Sequence, residues 1–207
     1  MGLRQKQKAA RERRILQAAV TKFRADGYHA VRIDDLASMA EVSVGTIYNY
    51  YRNKADILIA TVAMEVEEVL VAGEKVVAAP PNGVENAVLT LIYGYYDHSL
   101  HYLSKEMWRS AMALSIEAAD TPNGQRYTEL DARLAQQVKA LIAALKSKGE
   151  VRAELDADAL GQLIFNALNQ EFIEFIKQDE MALAELHKRI DAQMRPLFAL
   201  LAPPSTT

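Results

Sequence analysis

Apolar residues recur along this chain at intervals of three and four, the spacing of one helical face, and no stretch alternates strictly in the manner of a half-buried strand. Ile15, Leu16, Ala19, Val20 and Phe23 define a first helix, closed where Gly27 can take a positive φ and Tyr28 can fold back onto the apolar face. Ile33, Leu36, Ala37 and Ala40 define a short second helix. Ser43 is a good N-cap for a third, of about two turns over 44–51. Asn53, with Asp56 three residues on, opens a long fourth helix through Ile57, Leu58, Val62, Val66, Val69 and Leu70, which Pro80-Pro81 must stop. Further helices are expected at about 84–103, 105–119, 124–148, 156–178 and 180–201. The pattern predicts an all-α protein. Its first three helices have the outline of a helix-turn-helix domain over 1–54, and a long helix joins it to a larger helical domain over 55–207.

Charge divides the chain in the same place. Residues 1–54 carry 11 Lys and Arg against 5 Asp and Glu, and residues 55–207 carry 13 against 22, although the net charge is only −3. A basic head on an acidic body implies a polyanionic partner for the head alone, because charge attraction is screened beyond about 8–10 Å at ordinary salt. Arg4, Lys6, Lys8, Arg11, Arg13 and Arg14 precede the first apolar run and read as a loose basic arm that attracts phosphates without reading sequence. Cysteine is absent, which rules out a disulfide framework and a cysteine nucleophile. No apolar run reaches the roughly 18–20 residues of a membrane span, and the N-terminus lacks the apolar core of a signal peptide, so a cytoplasmic protein without membrane contact is expected. There is no Gly-rich phosphate loop, G-x-S-x-G elbow or His-rich zinc motif, so neither an enzyme nor a cofactor is expected.

Residues 44–51, "VGTIYNYY", carry the most specific chemistry. At 100° per residue Ile47 and Tyr51 share one side, Gly45 and Asn49 lie opposite, and Thr46 and Tyr48 flank the outward face. That division suits the second helix of a helix-turn-helix in a DNA major groove. Gly45 removes a side chain where backbone must come close; Asn49 can read an adenine edge, and Val44 or the Thr46 methyl can touch a thymine methyl. The hydroxyls of Thr46, Tyr48 and Tyr50 and the charges of Lys54 and Arg32 can position phosphates.

From Arg14 to Leu58 the chain resembles the tetracycline-repressor (TetR) family of bacterial transcription regulators. The resemblance rests on "ILQAAVTKFRADGY" and "IDDLASMAEVSVGTIYNYYRNKADIL". It implies DNA-contact positions at Val44, Gly45, Thr46, Tyr48, Tyr50 and Lys54, and a buried aromatic at Tyr51. It also implies a homodimeric repressor that binds double-stranded DNA at a palindromic operator and is released by a small-molecule effector, with 55–207 as the helical ligand-binding and dimerisation domain. The alternatives on the same fold are an activator, or an effector-binding adaptor without an operator. Two departures stand out: Val31-Arg32 replaces the usual Thr or Ser before the second helix, and Glu41 replaces the usual turn Gly.

No motif carries over beyond residue 84, so the larger half is read from its chemistry. Tyr93, Tyr96, His98, His101, Trp108, Met112, Phe165, Asn166 and Asn169 are candidates to line a mostly apolar effector pocket with a few orienting groups. His98 and His101 read as an ordinary solvated or hydrogen-bonded pair, not metal ligands. The last two helices are apolar over more than one stripe, which calls for two partners each. Leu168, Phe172 and Ile176 on one, with Ile190, Met194, Leu197 and Phe198 on the other, are the expected dimer interface.

Overall fold

The computed structural model describes residues 2–203. Nine α-helices are found among them: α1 Leu3–Asp26, α2 Ile33–Met39, α3 Val44–Tyr48, α4 Lys54–Ala78, α5 Val84–His98, α6 Lys105–Glu117, α7 Pro122–Ser147, α8 Ala157–Lys177 and α9 Leu183–Leu201. The residues at their ends explain most of the boundaries. Gly27 takes φ 81° and donates its N–H to Phe23 O, ending α1. Asn53 Oδ1 accepts from Asp56 N–H at 2.9 Å, and Asp56 Oδ2 accepts in return from Arg52 N–H at 2.7 Å. Pro122 sits at the first position of α7, where a missing N–H costs nothing. Asp156 accepts from Asp158 and Ala159 N–H to open α8, and these backbone bonds hold its carboxyl below the usual range.

Three expectations are corrected. The basic arm is helical: α1 begins at Leu3, because Leu, Arg, Gln, Lys and Ala are all strong helix formers. The recognition helix is shorter than expected, with Asn49 as its C-cap and Tyr50 in a turn. Helix α5 stops at His98, not near 103.

The chain folds as two compact units. One consists of the residues up to Glu65 together with Leu100–Thr128, and the other of Val66–Ser99 with Glu129–Thr207. The boundary expected at residue 54 therefore falls inside the first unit. In that unit Ile15, Ala19, Phe23, Leu36, Ile47, Ile57, Leu58, Leu103 and Met107 form a core with no exposed surface. Polar ties run through it too: the Arg24 guanidinium donates to Leu100 O at 2.5 Å and His101 O at 2.9 Å, and Asn123 Nδ2 donates to Asp56 Oδ1 at 2.8 Å.

The second unit buries Ala87, Val88, Leu91, Ile92, Val138, Leu141, Ile142, Leu145, Ile164, Phe175, Leu186 and Ile190. Helices α7 and α8 approach so closely that a Cβ on Gly161 would lie 2.6 Å from Lys139 Cα, so only glycine fits there. Tyr95 hydroxyl donates to Gln137 Oε1, and Gln137 Nε2 donates to Leu70 O at 2.8 Å.

Candidate nucleic-acid interface

The interface begins with a turn that works despite its sequence. Glu41, at φ 53°, occupies the left-handed position after α2. Its N–H donates to Ser38 O at 3.2 Å and that of Val42 to Ala37 O at 3.0 Å, the paired bonds of a Schellman closure. For a residue with a Cβ that conformation costs about 1–2 kcal/mol, and the bonds it completes offset part of the cost. The missing cap of α2 is likewise made good from within: Asp35 Oδ2 accepts from Arg32 N–H at 2.9 Å, the reciprocal half of a capping box.

Ser43 then caps α3, its Oγ accepting from Thr46 N–H at 3.1 Å and pairing with Thr46 Oγ1 at 2.8 Å. Ile47 is wholly buried, and Tyr51 nearly so. Burial first, and then the neighbouring Glu12 carboxylate, push the Tyr51 pKa far up. The opposite face is open. Gly45, Tyr48 and Asn49 are exposed, with Val44, Thr46 and Tyr50 half-buried beside them. A Cβ on Gly45 would meet nothing nearer than Ser43 Oγ at 3.9 Å, so internal packing does not require glycine there. What glycine provides at that position is room for an outside molecule to approach the backbone.

Two side chains expected at phosphates are engaged inside the protein. Lys54 Nζ donates to Tyr28 O at 2.8 Å, His29 O at 3.0 Å and Val31 O at 2.9 Å, and lies 4.7 Å from the Tyr28 ring centroid. Its three donors are thereby occupied, and burial lowers its pKa against the opposing pull of Glu106. Tyr50 hydroxyl donates to Lys8 O at 3.2 Å. Arg32 is exposed, its guanidinium 3.6 Å from Asp34. Beside α3 runs an open cleft lined by Arg4, Gln5, Lys8, Arg11, Thr46, Asn49 and Tyr50. Sequence reasoning missed that the arm reaches this place; the unbroken run of helix formers from Leu3 to Arg14 was the available signal.

In the second unit the expected interface residues turn inward. Leu168, Phe172, Ile176, Ile190, Met194 and Phe198 are buried within the unit, and only Leu197 is half-buried. They serve the packing of α8 against α9 and the rest of that core.

The pocket candidates are shared between the two units. Tyr96 is buried, donates to Leu168 O at 2.7 Å and stacks on Phe172. Tyr93 donates to Asp191 Oδ1 and stacks on His187 at 4.0 Å. His98 Nε2 lies 3.3 Å from Glu68 Oε2, Asn166 is exposed and accepts from Gln162 Nε2, and Phe165 and Asn169 are half-buried. In the first unit Trp108 is buried, Met112 half-buried and His101 exposed, its ring edge on Tyr102. Among the described residues no three His, Asp or Glu side chains stand together as a metal site requires, and no helix is long and apolar enough to cross a membrane.

A capped short helix with a buried aliphatic side, an open polar side and basic neighbours defines a helix-turn-helix DNA-binding regulator. Residues 15–61 match the family model described as bacterial regulatory proteins, tetR family, so the chain carries the DNA-binding segment of a transcriptional regulator. It is 25% identical over 180 residues to the fatty acid metabolism regulator protein of Bacillus subtilis (strain 168), covering 84% of this chain and 88% of the relative. A tetR-family transcriptional regulator from Mesorhizobium loti superposes with a TM-score of 0.74 at 20% identity, covering 95% of this chain and 98% of that one. The Thermus thermophilus FadR repressor, solved in complex with lauroyl-CoA, superposes with a TM-score of 0.69 at 17% identity over the same shares. At such identities the two structures establish likeness of fold.

Proposed function

We propose that this regulator is a homodimeric repressor acting in the cytoplasm, which grips a palindromic operator through α3 and is released by a long-chain acyl-CoA. The observation that carries the DNA-reading part is the open face of α3, with Gly45 bare and Asn49 beside it. Val44, Thr46 and Asn49 are the base-reading candidates, Tyr48 and Arg32 the phosphate contacts. Lys54 leaves that list because its ammonium is satisfied internally. The reading assigns the protein no catalytic role.

The acyl-CoA class rests on the Bacillus relative, whose similarity extends well past the DNA-binding helices, and on the ligand of the Thermus structure. Tyr93, His98, Phe165 and Asn169 are the second unit's partly accessible pocket candidates. The dimer face passes from the buried residues to the outward side of α8 and α9, where Leu163 is 56% and Leu200 66% exposed. Asn166 and Gln170 on α8, with Ala192, Pro196 and Ala199 on α9, are also exposed there.

Selection of bound fragments from the native genome tests this reading. A palindrome with half-sites about one helical turn apart, or a multiple of it, is the expected product. Titrating lauroyl-CoA against the complex at constant salt should then weaken operator binding. Each tenfold loss corresponds to about 1.4 kcal/mol of coupling, which the operator must return by weakening acyl-CoA binding equally. Tight acyl-CoA binding with unchanged operator affinity would remove the release mechanism. Fragments without a shared motif would remove the operator.

A further inference from the structure

The outer turns of α1 have no apolar packing to hold them. Residues 2–11 are exposed throughout, and isolated helical ends of this length fray in water. One side chain attaches them to the recognition element. Tyr50 hydroxyl donates to Lys8 O at 3.2 Å, and Lys8 Nζ lies 5.9 Å from the centroid of the Tyr50 ring. Arg4, Lys8 and Arg11 follow one another at four and three residues, so they share a helix face. That face, with Thr46, Asn49 and Tyr50, lines the open cleft beside α3.

We propose that Tyr50 is a positioning residue for DNA binding: by anchoring Lys8 it holds Arg4, Lys8 and Arg11 as one phosphate-binding edge alongside the recognition helix. A phenol has a single proton to donate. With that proton on Lys8 O, the hydroxyl has nothing to offer a phosphate, whose oxygens only accept. Tyr50 thus acts on DNA through the cations it places. Lys8 contributes twice, its carbonyl as the anchor point and its ammonium as part of the edge. An arm left free must give up conformational freedom to meet DNA, and that cost keeps its cations off the phosphates; a docked helix has already lost that freedom.

The test uses the full-length chain as wild type, Tyr50→Phe, Arg4→Gln/Arg11→Gln and the triple variant. Two probes are measured across a salt series: a 30-base-pair duplex carrying the selected operator, and a random duplex of the same length. Neutralising Arg4 and Arg11 should flatten the dependence of log affinity on log salt by about 0.9 for each phosphate that no longer meets a cation. Tyr50→Phe removes no charge and keeps the ring, yet should flatten the slope nearly as much on both probes. The triple variant should bind no more than twofold more weakly than the double. Amide exchange over residues 3–11 without DNA should quicken in Tyr50→Phe.

An unchanged slope in Tyr50→Phe would overturn the proposal, as would unchanged amide exchange. So would losses that multiply independently in the triple variant, the result expected of a direct phosphate contact. If the wild type bound neither duplex, DNA binding itself would fall and the proposal with it. If it bound both and Tyr50→Phe behaved identically, the proposal alone would fall.

Discussion

Lys54 clasps the turn between α1 and α2, because three carbonyls of that turn lie within 3.0 Å of its ammonium. Tyr28, whose ring lies under the same charge, packs edge-on against Phe23 with 5.2 Å between centroids, so the clasp is continuous with the core. Replacing Lys54 with Met keeps the aliphatic stem and strands the carbonyls. A loss of about 1–3 kcal/mol in urea-denaturation stability is expected, since hydrogen bonds to charged groups are the stronger kind and water can reach part of this site. The salt slope of DNA binding should stay as in the wild type. A fall of about 0.9 in that slope would instead return Lys54 to the phosphates.

Helix α7 carries a carboxyl that its surroundings disfavour. Burial raises the pKa of Asp131 from 3.8 to about 6. The folded state therefore holds this proton more tightly than the unfolded chain does. The resulting stability is complete below about pH 4 and is lost as pH rises through 6. At neutral pH the ionised group opposes folding by an amount on the order of 3 kcal/mol. Asp131→Asn should accordingly raise the melting temperature at pH 7.5, and the gain should shrink steadily between pH 6 and pH 4. Melting curves at several pH values decide this, and a gain independent of pH would point to packing instead.

At the scale of the whole molecule, two copies are required if two recognition helices are to meet successive half-sites of one operator. Leu163 is the most exposed large apolar residue of α8 and so is the sharpest probe of the proposed dimer face. Leu163→Glu should shift sedimentation equilibrium from dimer to monomer and weaken operator binding at least tenfold, with the helical signal intact. A variant that remains dimeric at low micromolar concentration would move the interface elsewhere.

Helical period, caps and breakers were enough to place nearly every helix, because those signals act through neighbours in the chain. Ile47 and Tyr51 turn inward, and Gly45 and Asn49 outward, as the 100° spacing requires. The pattern could not tell which of two apolar stripes on α8 and α9 faces the core: Leu168, Phe172 and Ile190 belong to the unit itself, leaving Leu163 and Leu200 outside. Nor could it show that Lys54 and Tyr50 bond to carbonyls 23 to 42 residues away. By itself, then, the sequence determined the helices, most of their ends and the family of the DNA-binding segment, all matters of local spacing and residue chemistry. Only the tertiary structure decided where polar atoms find their partners and which apolar faces remain uncovered, because both depend on residues that meet only when the chain folds.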